Sequence, residues 1–257
     1  MAANFVIHTE DEIRRIRAAA AATARVRDEL ALRACPGMST LELDEIAGAL
    51  IAAENGKSAF LGYGGFPRNI CISVNEEVVH GIGVADRILT ADDIVSIDVG
   101  VALDGAVGDT ALTFALRPDP SPAVKMLLDT TRDALMAGIE QAICGNYLND
   151  VCSAIEKVAK SQKLGVVRDF VGHGTGIKLH EPPEIPNFRM ASRGVKLQKG
   201  MVLAIEPMFN LGTEKVTVDR TDHWTVRTRD KSLSAHFEHT ILITDNKPEI
   251  LTWQKTM

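Results

Sequence analysis

Five residues with metal-ligating side chains lie in strand-like apolar or glycine-rich segments, and this feature constrains the fold more than any other. They are Asp98, Asp109, His173, Glu206 and Glu238. An unpaired carboxylate is costly to bury, so four of them in such segments require a compensating positive charge. No run of basic residues lies near them in the sequence. Four carboxylates with one imidazole suit a pair of Mn, Fe, Co or Zn ions better than a structural zinc, which prefers thiolates.

The spacing of the first two carboxylates predicts a β-hairpin. Strands over residues 94–101 and 106–114 would flank Asp104-Gly105, a dipeptide typical of two-residue hairpin loops. With a tight loop, position 98 faces position 111, so position 109 is the diagonal neighbour of position 98. Asp98 and Asp109 would then lie on the same face of the hairpin, within reach of a shared ion.

Helix signals come before this hairpin. Thr9 with Glu12 forms a capping box for a helix over residues 10–34, and Ser39 with Glu42 opens a second helix that ends near residue 55. The apolar positions of the first helix follow helical spacing. They are Ile13, Ile16, Ala20, Thr23, Val26 and Leu30.

The same order of elements is predicted a second time. Helices over residues 121–142 and 148–163 precede further strands, so the chain is expected to form two halves related by a pseudo-twofold axis. The short strands expected outside the hairpin cover residues 70–74, 201–207, 225–228 and 236–244.

Bulk properties exclude several classes of protein. The net charge of −6 gives no global reason to expect nucleic-acid binding. No apolar run reaches the length of about 20 residues that a membrane span needs, and the N-terminus lacks the pattern of a signal peptide. The four cysteines are scattered, which is typical of free thiols in a reducing cytoplasm. We therefore expect a cytoplasmic protein, and no linker rich in Pro, Gly or Ser divides residues 1–257 into separate domains.

Seven segments, in order, resemble the type I methionine aminopeptidases of the M24 metallopeptidase family, in their short bacterial form. The resemblance implies an α+β "pita-bread" (creatinase/aminopeptidase) fold, in which a curved antiparallel sheet is backed by helices. The segments are SVNEEVVHG at 73–81, IDVG at 97–100, GDT at 108–110, GHG at 172–174, HEPP at 180–183, IEP at 205–207 and FEHT at 237–240.

The resemblance also implies a role for each of the five ligand candidates. Asp98 would bind one metal ion terminally, Asp109 and Glu238 would bridge two ions, and His173 and Glu206 would complete the other site. A metal pair would lower the pKa of a water molecule and polarise the scissile carbonyl. Glu206 would also carry a proton from that water to the leaving amine, unless it is solely a ligand.

Two further histidines and an apolar pocket follow from the same resemblance. His80 would hydrogen-bond the substrate near the scissile amide, and His180 would donate to its carbonyl oxygen as negative charge develops. The pocket would accept the flexible thioether of methionine. Its walls would be Phe60, Tyr63, Phe66, Cys71, Leu179 and Trp224.

Some residues depart from the pattern of the resembling family. Phe60 and Leu179 stand where many bacterial members have cysteine and phenylalanine, and His236 replaces a frequent glutamine, which could change hydrogen bonding around the metal. An insertion over residues 212–222 reads as a solvated hairpin loop, with a substrate or ribosome contact as the alternative. The arginines of the first helix read as a solvated face interleaved with acids, and again a ribosome contact is the alternative.

The function implied is removal of the initiator methionine from nascent chains whose second residue is small, by a monomer that would contact the ribosome transiently. A proline-directed peptidase of the same fold is the second interpretation, disfavoured by chain length and by the methionine-type pocket. A catalytically inactive binding module is the third. Loss of ligands usually marks such descent, whereas all five ligand candidates and both histidines are present here.

Overall fold

The computed structural model describes residues 5–253, and four α-helices within them lie in two sequential pairs. Helices α1 (Glu10–Arg33) and α2 (Thr40–Ala53) precede the first group of strands. Helices α3 (Pro122–Gln141) and α4 (Leu148–Ser161) precede the second. The order of two helices followed by strands thus occurs twice, as predicted. None of the helices in residues 5–253 has the length and apolar character to cross a membrane.

Capping and periodicity place α1 correctly. The Thr9 side chain accepts a hydrogen bond from the backbone N–H of Glu12, and the Glu12 carboxylate accepts one from the backbone N–H of Thr9. Ser39 and Glu42 form the same reciprocal box at α2, so four helix-terminal groups are satisfied locally. All six positions predicted from the spacing in α1 are buried.

The first group of strands contains the predicted hairpin. Its strands β4 and β5 are joined by Asp104 and Gly105, which have positive φ angles of 50° and 72°. Asp98 pairs with Ala111, and Gly100 pairs with Asp109, so the predicted register is confirmed. The strands of this group are β1 (Lys57–Ser58), β2 (Cys71–Val74), β3 (Glu77–Val79), β4 (Ile94–Leu103) and β5 (Ala106–Ala115).

The second group is divided into more and shorter strands than the sequence predicts. They are β6 (Gly165–Val166), β7 (Gly172–Gly174), β8 (Glu181–Ile185), β9 (Val202–Ile205), β10 (Met208–Asn210), β11 (Val216–Val218), β12 (Val226–Thr228), β13 (Ser234–His236), β14 (His239–Leu242) and β15 (Glu249–Ile250).

Antiparallel pairing joins these strands into four sheets within the described residues. The hairpin sheet has β4 at its centre, with β1, β2 and β5 as partners. The longest of the others has the order β15-β14-β9-β7-β8. The two remaining sheets have the orders β13-β10-β6 and β11-β12-β3.

Two pairs of strands end opposite one another, at residues 206–207 and 237–238. The expected strand 201–207 corresponds to β9 alone, which ends at Ile205, and the unpredicted β10 begins at Met208. The expected strand 236–244 is interrupted, because β13 ends at His236 and β14 begins at His239. β9 pairs with β14 in one sheet, whereas β10 pairs with β13 in another. The two paired segments therefore pass from one sheet to the other at residues 206–207 and 237–238. Pro207 has no N–H to donate to a ladder, which favours the break.

Each helix pair covers its own apolar core. Residues of α1 and α2 pack with β2 and β4, and residues of α3 and α4 pack with β9, β10, β13 and β14. The N-terminal half of α1 joins the halves, because Ile13, Ile16 and Ala20 pack with Ala106 of β5, Val202 of β9 and Leu242 of β14.

Candidate metal centre

The hairpin brings two carboxylates together on one face. Asp98 on β4 and Asp109 on β5 each keep one carboxylate oxygen, Oδ1, buried without a hydrogen-bond partner. Burial raises the pKa of Asp98 well above its ordinary value, and the charge of Glu206 adds to the rise. Burial and the charge of Asp98 do the same to the pKa of Asp109. Such groups call for a cation.

The histidine on β7 presents its Nε2 atom to these carboxylates. His173 Nδ1 lies 2.9 Å from the carbonyl oxygen of Gly174, so Nδ1 carries the proton and Nε2 keeps its lone pair. Nε2 lies 3.8 Å from Asp109 Oδ2 and 3.4 Å from Glu206 Oε1. Burial lowers the pKa of His173 to about 3. A neutral imidazole with a free Nε2 is the form that binds a metal ion.

Glycines on both sides of His173 let neighbouring strands approach. A Cβ at Gly172 would collide with the carbonyl oxygen of Ala204 on β9, and one at Gly174 would collide with that of Pro182 on β8. The close approach of the neighbouring strands therefore requires glycine on both sides of His173, since only glycine lacks a Cβ.

The other two carboxylates lie where the paired strands change sheets. Glu206 directly follows β9, and Glu238 lies between β13 and β14. Glu238 is 2% exposed, and its Oε1 atom has no hydrogen-bond partner. Its backbone N–H donates to the carbonyl oxygen of Ala111 on the hairpin at 2.9 Å. Burial raises the pKa of both glutamates well above the ordinary range, with Asp109 contributing to each.

All five predicted ligands line one cavity of about 540 Å³. One ligand atom each from Asp109, His173 and Glu238 lies within 4.8 Å of the others. None of the described residues lining this cavity is lysine or arginine. Orphaned carboxylate oxygens, an oriented imidazole and the lack of a basic neighbour therefore fit divalent metal ions.

The predicted histidine His80 lies in the same cavity and has an unusual backbone. Its φ angle is 60°, in the left-handed region that few non-glycine residues occupy. A Cβ on the next residue, Gly81, would collide with the carbonyl oxygen of Ile72 on β2. The His80 ring packs edge-on against Phe170 and Trp224, with centroids 5.4 and 6.2 Å away. Burial lowers its pKa to about 4.

His180 also lines the cavity and lies against His173. The two ring centroids are 4.3 Å apart. Its Nδ1 atom is 2.7 Å from the hydroxyl oxygen of Tyr63, and burial lowers its pKa. His180 is therefore neutral near pH 7 and can donate one hydrogen bond from Nε2 when Nδ1 accepts the tyrosine proton.

The apolar end of the cavity is formed by five of the six predicted pocket residues. Phe60, Phe66, Cys71 and Leu179 are buried together, and Trp224 packs edge-on against Phe66 at 5.2 Å. Tyr63, predicted as a wall, is 47% exposed and lies at the rim beside His180. Sequence reasoning missed Val79, Phe170, Val171, Pro182, Glu184 and Met208, which also line the cavity. Val79 and Pro182 lie inside two of the seven matching segments, and Phe170 and Val171 directly precede the Gly-His-Gly segment, so their positions were the available signal. Glu184 and Met208 lie in none of these segments.

The remaining predicted features fall outside the cavity. Part of the 212–222 insertion forms β11, which pairs with β12, and its tip is exposed. This agrees with the hairpin interpretation. The arginines of α1 mostly pair with acids at the surface, as Arg14 does with Asp11. Arg27 is the exception, because it is buried and donates to the Thr110 hydroxyl at 2.7 Å.

A fold of this kind, with buried carboxylates and one oriented histidine around a cavity, defines a metal-dependent hydrolase. The chain belongs to metallopeptidase family M24, whose model matches residues 14–245. It therefore uses divalent metal.

Full-length relatives and solved structures agree with this assignment. The chain is 45% identical to a methionine aminopeptidase of Clostridium acetobutylicum over 96% of this chain and 98% of that protein. It is 42% identical to methionine aminopeptidase 1 of Bacillus subtilis over 96% and 99% of the two chains. The methionine aminopeptidase structure from Thermotoga maritima superposes with a TM-score of 0.94 at 41% identity, covering 97% and 100%. The predicted pita-bread fold is thereby confirmed.

Proposed function

We propose that this protein is an aminopeptidase that uses two divalent metal ions to remove the N-terminal methionine of polypeptides whose second residue is small. The observation that carries the proposal is a single cavity with a carboxylate–histidine centre at one end and a buried apolar end at the other. The names of the full-length relatives support the same substrate. The metal in the cell would be Co, Mn, Fe or Zn, since this ligand set accepts all four.

Asp98, Asp109, His173, Glu206 and Glu238 would together hold the ions. When bound, the ions would supply a water molecule of lowered pKa and would polarise the scissile carbonyl. Glu206 would accept a proton from the attacking water and deliver it to the leaving amine, because its carboxylate lines the same cavity as the other four ligand candidates.

The two neutral histidines would orient the peptide. His180 would donate from Nε2 to the carbonyl oxygen of the methionine residue as charge develops there, with Tyr63 holding the other ring nitrogen. His80 would hydrogen-bond the backbone next to the scissile amide. The strained backbone of His80 and the packing of its ring on Phe170 and Trp224 would keep that donor in place.

The apolar end would bind the methionine side chain. Phe60, Phe66, Cys71 and Leu179 are buried around it, and Trp224 packs at one side. An unbranched thioether fits such a surface through its flexible, polarisable chain. Removal of a methionine side chain from water would stabilise binding by about 1.5–3 kcal/mol.

We also propose that the protein acts in the cytoplasm as a monomer, on nascent chains at the ribosome. The four cysteines are unpaired in the structure, which suits a reducing compartment. The exposed ion pairs along α1 offer charged groups for a transient ribosome contact. The net charge of −6 gives no support to sequence-specific nucleic-acid binding.

The experiment that tests the function is cleavage of a peptide panel followed by mass spectrometry. The protein would be stripped with a chelator and reloaded anaerobically with Mn, Fe or Co. Met-Ala-Ser should be cleaved, whereas Met-Lys-Ser, Leu-Ala-Ser and Ala-Pro-Ser should not. Glu206→Gln keeps the shape of the side chain without its basicity and should lower kcat by about 100- to 10,000-fold.

The same panel separates the alternatives. Cleavage of Ala-Pro-Ser alone would assign a proline-directed peptidase. Structures of that kind, such as the Pyrococcus furiosus prolidase at 20% identity and a TM-score of 0.77, show the shared fold only. A protein that binds metal stoichiometrically and cleaves none of the peptides would be a binding module.

A further inference from the structure

A buried histidine outside the five ligands faces one of them directly. His236, the last residue of β13, is 1% exposed. The Thr113 hydroxyl holds its backbone from both sides, accepting from His236 N–H and donating to His236 C=O, each at 2.8 Å. These two hydrogen bonds hold β13 against β5 and so restrict the position of the His236 imidazole.

The Nε2 atom of this histidine is aimed at Glu206. Nε2 is buried without a hydrogen-bond partner and lies 3.6 Å from Glu206 Oε2. The other oxygen of the same carboxylate, Oε1, lies 3.4 Å from Nε2 of His173. The two oxygens of Glu206 therefore face different imidazoles. Oε1 faces the ligand candidate His173, and Oε2 faces His236.

The buried imidazole of His236 can donate a hydrogen bond to the Glu206 carboxylate. An imidazole carries an N–H on at least one ring nitrogen and can place it on Nε2. A separation of 3.6 Å is a few tenths of an ångström longer than a hydrogen bond. A small rotation of the Glu206 side chain closes it, and no other partner competes for Nε2.

We propose that His236 is a positioning residue that donates from Nε2 to Glu206 Oε2 and leaves Oε1 to face the metal centre. The inference rests on the proposed dinuclear function and adds a residue to it. By fixing Glu206 with one oxygen forward, His236 strengthens binding of the ion held by His173 and Glu206. Partners that orient ligands in this way typically change metal affinity 10- to 100-fold.

Calorimetric titration of the stripped protein with Mn²⁺ tests the proposal without measuring catalysis. His236→Leu removes the donor and should weaken one of the two binding steps 10- to 100-fold. His236→Gln retains an N–H donor and should restore most of that affinity. His239→Gln is the matched control, because His239 is partly buried and its Nδ1 lies 2.8 Å from the Thr252 hydroxyl oxygen instead of a ligand. It should bind Mn²⁺ as the unchanged protein does.

The possible results distinguish a failure of this proposal from a failure of the proposed function. Equal Mn²⁺ affinity in His236→Leu and the unchanged protein overturns the proposal, as does equal weakening in His236→Leu and His236→Gln. If His236→Leu does not fold, His236→Asn replaces it, because its amide is too short to reach Glu206, and equal affinity of the Asn and Gln variants overturns the proposal. If the unchanged protein binds two ions and cleaves no methionyl peptide, the proposed function fails while this inference stands.

Discussion

His173 owes its ligand form to a hydrogen bond on the far side of its ring. The carbonyl oxygen of Gly174 takes the Nδ1 proton at 2.9 Å, which leaves Nε2 free to face Asp109 and Glu206. The Gly-His-Gly pattern marks His173 as the histidine among the ligand candidates. The choice of tautomer depends on a backbone oxygen whose direction only the folded strand determines.

The partly buried His239 makes stability depend on pH. Burial, with the Arg27 guanidinium nearby, lowers the pKa of His239 to about 3, from an ordinary value of 6.5. The unfolded chain therefore binds more protons below pH 6.5, and the free energy of unfolding falls as the pH falls towards 3. This one group should remove about 2 kcal/mol between pH 6.5 and 5.

Denaturant unfolding of the stripped protein at pH 5, 6 and 7 measures the effect. His239→Gln keeps an amide that can bond Thr252 but does not titrate, so its stability should fall less steeply with decreasing pH. Parallel curves for the two proteins would contradict a neutral, partly buried His239. The difference between the curves isolates this group from the carboxylates of the centre, which titrate in both proteins.

The size of the apolar end depends on the close approach of Phe60, which follows β1, to Gly100 on β4. A Cβ at Gly100 would lie 2.5 Å from Cε1 of Phe60. Gly100→Ala should push the phenyl ring into the space for the substrate side chain, at a cost of about 1–3 kcal/mol in methionyl-peptide binding. The expected result is a higher KM with little change in Mn²⁺ affinity.

Steady-state kinetics on Met-Ala-Ser, with Gly100→Ala alone and combined with Phe60→Ala, checks this. The second substitution removes the ring and should recover most of the lost binding. If the double variant binds the peptide as poorly as Gly100→Ala, the ring does not limit the pocket. The strand pairing around Asp109 would then be the affected feature.

At the scale of elements, the crossing of two strand pairs places the glutamates. β9 with β14 and β10 with β13 belong to different sheets, and Glu206 and Glu238 lie at the two change points. Residues at such breaks are released from the regular ladder, so their side chains can turn towards the hairpin. The sequence predicted a strand that ends at residue 207 and a continuous strand over residues 236–244, so it missed β10 and the break at residues 237–238.

The segment that carries His180 is held by a residue from the N-terminus. Glu181 Oε1 accepts hydrogen bonds from the backbone N–H groups of Ile177 and Lys178 at 3.0 and 2.8 Å. Its other oxygen lies 3.2 Å from His8 Nε2. His8→Ala should loosen this segment and misplace His180, which lowers kcat by up to about 100-fold for a displacement near 1 Å.

Kinetics combined with hydrogen exchange of residues 175–181 checks this prediction. Exchange in that segment should be faster in His8→Ala, and metal content should be unchanged. His223→Ala is the control, because His223 is exposed on the hairpin loop. Unchanged exchange together with lower activity would mean that His8 acts elsewhere.

At the scale of the whole molecule, two helix-backed halves meet around a negatively charged cavity. None of the described residues lining the cavity is a lysine or arginine that could balance the charge of its carboxylates. In the stripped protein the raised pKa values of these carboxylates mean that the folded state binds more protons than the unfolded chain. Stability of the stripped protein due to these groups is therefore lost as the pH rises above about 4.

Metal should reverse that loss. Because binding displaces protons from the carboxylates, the increase in Tm on adding Mn²⁺ should be larger at pH 7.5 than at pH 5.5. A concentration 100-fold above Kd should stabilise the fold by about 2.7 kcal/mol. Thermal unfolding with Mn²⁺ or with chelator, at both pH values, measures it. Asp109→Asn should abolish most of the increase, and an equal increase in that variant would place the binding outside this centre.

The sequence by itself determined the helix starts, the hairpin register and the identity of the ligand candidates. Each depends on neighbours within a few residues: a capping box, a two-residue loop, or a carboxylate in an apolar run. Only the tertiary structure decided that β9 and β13 end where they do, that Arg27 is buried under Thr110, that Tyr63 lies at the rim, and that His236 faces Glu206. These features depend on contacts between segments up to about 130 residues apart, such as Thr110 with Glu238. Such contacts leave no periodic or local pattern, because their energy comes from packing and from satisfying buried polar groups across sheets.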